Sequence, residues 1–217
     1  MTEEKWLASN DPEQMLCYFR VKDRRPSRKL RLYAVACCCY IWQLVPDMRS
    51  RAVVEVAERY ADGLATDEEL RRAAEAAEVI HRRAFEAKGK VGSTAEWCVV
   101  FSAAESAFHA ARTVNWMAAH AAFHHSKKAD EIPRIALLQD IFSYAFHPTC
   151  TADFPLTSNV VGLAQSIYQE RAFDRLPILA DALEEAGCTN QEVLRHCRGP
   201  GPHVRGCWVV DLLLGKE

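Results

Sequence analysis

No apolar run in this sequence approaches the ~20 residues a helix needs to cross a bilayer. The opening stretch MTEEKWLASNDPEQ has neither the positive start nor the apolar segment of a secretory leader, so the chain is expected in the cytoplasm and away from membranes. Strand signals are also missing, since no pair of alternating apolar segments is joined by a hairpin turn. There is no GxGxxG, GxxxxGK[ST] or GxSxG pattern and no paired-carboxylate motif, which disfavours cofactor-dependent and phosphoryl-transfer chemistry. Charge of one sign is lacking as well. With 27 basic and 29 acidic residues the formal net charge is -2, so there is no global pull toward nucleic acid or an anionic surface.

What is present describes an ordinary globular protein, 49% hydrophobic and 26% charged. At 217 residues it forms one large domain or two small ones and buries roughly 70% of the surface of its unfolded chain. Nine cysteines are an odd number, and three of them, Cys37, Cys38 and Cys39, are adjacent. Successive helical positions point about 100° apart, which suits small buried side chains in a reducing compartment better than a disulfide framework.

Helix punctuation is the dominant signal. Asp11-Pro12-Glu13-Gln14, Thr66-Asp67-Glu68-Glu69 and Thr189-Asn190-Gln191-Glu192 read as helix starts, and Gly63, Gly89, Gly187 and Gly199 read as left-handed stops. The predicted helices run near 3–9, 12–20, 28–44, 48–62, 67–87, 94–125, 131–144, 159–171, 175–187, 190–197 and 204–214. The fold class is therefore all-α, about ten helices in an irregular multi-helical bundle with a long central Ala-rich helix. The segment 30–44 is apolar almost all round and should be buried, whereas 67–88 should be solvated, with only Leu70, Ala74, Ala77 and Ile80 or His81 facing inward. The aperiodic stretch 145–158 reads as a linker between an N-terminal bundle over 1–144 and a C-terminal subdomain over 159–217.

Three constellations carry candidate chemistry. The first is HCRGPGPHVRGCWVVD at 196–211, where Cys188, Cys197, His203 and Cys207 offer four ligands to a structural zinc ion, though without the usual CxxC knuckle. The same residues also fit a packed helical corner. On that reading Asp211 is paired by Arg198, Arg205, His196 or His203, and Arg195, His196, Arg198, His203, Arg205, Trp208 and Asp211 form a structural or interaction surface. A third use would make Cys207 a nucleophile beside His203, but no orienting acid or oxyanion donor is identifiable. The second constellation is the stripe Glu105, His109, Trp116, His120 and His124 on the predicted helix 94–125. The third is the basic run Arg20, Lys22, Arg24, Arg25, Arg28, Lys29 and Arg31, able to contact phosphates but lacking aromatics for base stacking.

The segments WLASNDPEQML (6–16), RKLRLYAVACCCYIWQL (28–44), AVVEVAERYADGLATDEEL (52–70) and RAFDRLPILADALEEAGCTNQEVLRHCRGPGPHVRGCWVVDLLLGKE (171–217) resemble a family of uncharacterised bacterial helical proteins. The resemblance covers both ends and is most specific in the C-terminal block. It implies no activity, cofactor or functional residue. The expected function is a helical protein-interaction or adaptor module without its own catalysis or cofactor and with another protein as its partner. The alternatives are a zinc-binding protein and a nucleic-acid binder.

Overall fold

The computed structural model describes residues 2–21, 27–126, 133–143 and 156–216, and every regular element among them is helical. Twelve α-helices follow in order: α1 (Glu3–Leu7), α2 (Pro12–Val21), α3 (Ser27–Tyr40), α4 (Met48–Ala61), α5 (Asp67–Gly92), α6 (Thr94–Ser102), α7 (Ala107–Ser126), α8 (Arg134–Phe142), α9 (Ser158–Glu170), α10 (Leu176–Glu185), α11 (Gln191–Arg198) and α12 (Trp208–Leu213). Short 3-10 turns occupy Trp42–Leu44 and Phe173–Arg175. None of the described helices is long and apolar enough to cross a membrane.

The helices group into two compact units, one over Ala8–Ile135 and the other combining Thr2–Leu7 with Ala136–Glu217. In the first, α3 is the hub and packs against α4, α6 and α7. Leu30 through Cys38 are all buried, as an all-round apolar sequence requires. Cys37 and Cys38 are inside and Cys39 is exposed, and every described cysteine is a free thiol. Helix α5 lies against α4 and α6, and among its residues with described side chains, 67–89, it buries Leu70, Ala77, Ile80 and His81 and no others.

The helix expected over 94–125 is in fact two helices. Ser102 ends α6, and Ser106 caps α7 by accepting the His109 amide on its Oγ at 3.3 Å. The break is held by a residue far away in sequence. Arg31, 2% exposed, donates from Nη1 to the carbonyls of Ser102 and Ala104 at 3.0 and 2.8 Å, and from Nη2 to that of Glu105 at 3.0 Å. A guanidinium thus takes the helix-end carbonyls that would otherwise lack donors.

The second unit is built around α9, α10, α11 and α12, with Ile167, Leu179, Leu183, Val193 and Val209 at its fully buried centre. Helix α1 belongs to it because Trp6 meets Phe142 edge to face at 6.5 Å and Gln139 Nε2 donates to the Leu7 carbonyl at 3.2 Å. The sequence reading divided the chain at 145–158, of which 145–155 lie outside the described residues.

Candidate metal centre

The site is assembled in the second unit from α8, the end of α11 and the loop leading to α12. Asn190 starts α11 by accepting the Glu192 and Val193 amides on its side chain, which places His196 in the last turn. The helix then stops at Gly199, but not in the predicted way. Gly199 is extended, with φ −68° and ψ 163°, and the left-handed conformations fall two and seven residues later, at Gly201 (φ 76°) and Gly206 (φ 97°). With Pro200 and Pro202 between helices, the chain stays non-helical as far as Cys207, and the last helix spans Trp208–Leu213 rather than 204–214. His203 and Cys207 are therefore brought together by a loop, not by a shared helical face.

The residue that organises this loop is Asp140 of α8. It is 3% exposed and follows Leu137 and Leu138, each fully buried. Its Oδ1 accepts from His203 Nδ1 at 2.6 Å and lies 3.1 Å from His196 Nε2, while its Oδ2 accepts the Val204 amide at 3.1 Å. His196 Nε2 also sits 3.2 Å from Cys207 Sγ, and the indole N–H of Trp208 donates to His196 Nδ1 at 3.0 Å. His203 Nε2 is buried and has no hydrogen-bond partner. One ligand atom from each of Asp140, His196, His203 and Cys207 lies within 4.8 Å of the others.

The electrostatics follow from burial. For Asp140 burial pushes the carboxyl pKa up, but the hydrogen bonds from His196 and His203 outweigh it and hold the group below its ordinary value. Burial, and then the nearby Asp140 carboxylate, push the Cys207 thiol well up, against the opposing pull of the Val210 and Val209 amides. A buried thiol of this kind is not the acidified nucleophile that a catalytic cysteine requires. A bound cation would reverse the sign, because a coordinating thiol is deprotonated outright.

No family model, curated protein or solved structure matches this chain.

The four candidate ligands read from the sequence do not all come together. His203 and Cys207 do converge, but Cys188 and Cys197 are buried in the apolar core of the unit, outside the cluster, and burial pushes the Cys197 thiol up to about 12. The residues that do converge with His203 and Cys207 are Asp140 and His196. Arg198 pairs with Asp181 at 2.7 Å and with Glu184, while Arg205 donates to the carbonyls of Tyr168 and Gln169, each at 3.2 Å. The carboxylate shared by the two histidines is therefore Asp140, not Asp211. Asp140 stands 56 positions before His196, and its sole sequence signal is an acid set among the apolar residues of IALLQDIF.

The other constellations fare differently. Glu105 falls in the break before α7, so the predicted stripe loses its first member. Trp116 stacks on His120 at 5.2 Å, and the Nε2 atoms of His120 and His124 approach to 3.1 Å on an exposed face. Of the basic run, Arg31 is spent on helix-end carbonyls and Arg28 on Asp62 at 2.9 Å, while Lys29 is buried. Lys22, Arg24 and Arg25, together with the side chain of Arg20, lie outside the described residues.

Proposed function

We propose that the protein binds a transition-metal ion of the zinc class through Asp140, His196, His203 and Cys207. The observation that supports this most directly is the convergence of a buried carboxylate oxygen, a buried thiol and the nitrogens of two half-buried histidines on a common centre. Four ligands about 2.0–2.3 Å from a tetrahedral zinc ion stand roughly 3.3–3.7 Å from one another. The separations of 2.6, 3.1 and 3.2 Å, with none beyond 4.8 Å, bracket that range. The 2.6 Å contact must open and the widest must close. Mixed N, O and S donors at borderline softness favour zinc over calcium or magnesium, and four protein ligands leave no open position for substrate, so the role is structural. Bound there, the ion would join α8, α11 and the α11–α12 loop of one unit.

Protein purified without chelator is expected to carry about one zinc per chain by elemental analysis, with Cys207→Ser reducing this to a small fraction. A Cys188→Ser variant is expected to keep its metal. Equal metal content in the parent and the Cys207→Ser variant, or none in the parent, rejects the assignment.

An adaptor role that docks another protein is a second reading, favoured by a groove of about 600 Å³ between α4 and α5. Its floor includes Val53, Val56 and Ile80. Its rim sets Arg49, Arg72 and Arg83 against Glu69, which suits an acidic amphipathic helix. Val79, 46% exposed on that rim, gives the test. A fluorescent acidic amphipathic peptide is expected to bind the parent and to lose at least tenfold in affinity on Val79→Asp, whereas equal affinity for both proteins removes the groove as its site.

A further inference from the structure

We infer that Trp208 sets the affinity of the cluster for its ion by holding His196 in the tautomer that cannot ligate, so that loading the site releases the indole. The inference rests on the metal-binding reading above. An indole N–H can only donate, so the 3.0 Å contact from Trp208 Nε1 requires a lone pair on His196 Nδ1. A neutral imidazole carries one N–H, which therefore sits on Nε2. That atom faces two acceptors, Asp140 Oδ1 at 3.1 Å and Cys207 Sγ at 3.2 Å, so this arrangement is satisfied on every side without a cation.

An ion at the centre of the cluster needs the Nε2 lone pair. The proton then belongs on Nδ1, where it points at the Trp208 N–H across 3.0 Å, donor against donor. A ligating histidine ordinarily turns its other N–H toward a carboxylate, a carbonyl or water. Here that place holds a donor. Trp208 is 3% exposed, so an indole N–H that gives up His196 has no bulk water to turn to. It is also the first residue of α12 and the neighbour of the ligand Cys207, so its displacement is felt where the last helix begins. Occupancy of the cluster and the position of this ring are thus one equilibrium, and the ring's hydrogen bond is subtracted from the affinity.

The decisive comparison uses zinc ion and the full chain, parent against Trp208→Phe, which keeps an aromatic ring and removes the N–H. A hydrogen bond that must be given up on binding is worth on the order of a tenfold change in affinity, so Trp208→Phe is expected to bind zinc roughly tenfold more tightly in competition with a chelating dye. In the parent, nitrogen NMR should find His196 protonated on Nε2 before zinc and on Nδ1 after it. One indole N–H resonance of the five tryptophans, absent from Trp208→Phe, should shift on loading. Stoichiometric zinc with that resonance unmoved, or with Trp208→Phe binding no tighter, overturns the role of Trp208 and leaves the metal site standing. If Trp208→Phe does not fold, the parent's tautomer and indole shift decide alone. Absence of zinc from both proteins removes the metal site and this inference together.

Discussion

Replacing Asp140 by asparagine is expected to lower the unfolding free energy by about 3 kcal/mol and to abolish stoichiometric zinc binding. The carboxylate is buried and faces His203, His196 and the Val204 amide. Removing one member of such a buried set costs about 3–5 kcal/mol because the partners stay buried without their acceptor. Asparagine retains one acceptor oxygen, which places the cost at the lower end, but turns an amide N–H₂ toward a donor. Urea unfolding with chelator present isolates this contribution from that of any ion. An unchanged midpoint would mean that the network adds nothing to stability. The pH dependence has a definite sign. Folding holds the Asp140 carboxyl below its ordinary value of 3.8, so between the two values the unfolded chain binds more protons than the folded one. The stabilisation is therefore fully present above pH 3.8 and is lost as pH falls through the depressed folded value. The part of the gap between parent and Asp140→Asn that comes from the Asp140 carboxyl should narrow as pH falls below 3.8 through the depressed folded value.

Arg31→Met should cost a similar amount, about 3 kcal/mol, for a different reason. Three bonds from one buried guanidinium to the carbonyls of Ser102, Ala104 and Glu105 are lost together, and a bond to a charged group contributes about 1.5–3 kcal/mol each before the cost of burying the charge is subtracted. Amide exchange at Ala107 to Ala110, in the first turn of α7, should speed up more than exchange in α9. Arg31→Lys should recover little, since an ammonium lacks the forked geometry that spans three carbonyls. Arg31→Met stability equal to the parent would show that the break between α6 and α7 forms without it. The same side chain bears on nucleic-acid binding, because a guanidinium committed to helix-end carbonyls is not offered to phosphate.

Where a feature depends on residues within about four positions of one another, the sequence alone determined it. Thr66 Oγ1 accepts the Glu69 amide at 3.2 Å and Glu69 Oε2 accepts the Thr66 amide at 2.8 Å, which is the reciprocal cap that the pattern TDEE predicts. Asp11 Oδ1 likewise accepts from the Glu13 and Gln14 amides, Gly63 and Gly187 take the positive φ expected of helix stops, and Gly89, at φ 72° and ψ −175°, kinks α5. The cap near 190 is Asn190 rather than Thr189, a shift of one residue. The all-helical class, the burial of α3 and the one-sided burial of α5 followed from periodicity, which is also local. Tertiary structure alone decided the rest. The break at 103–106 is held by a residue 71 positions from the nearest carbonyl it bonds, and the cluster took as its centre an aspartate 63 positions from His203. It also decided which of the buried cysteines joins the cluster around Asp140. All three of Cys188, Cys197 and Cys207 lie in one buried core, and only the fold brings the Cys207 thiol to Asp140 and His196. Pairings between distant residues leave no periodic trace along the chain, because they are fixed by how helices pack and not by how each helix forms.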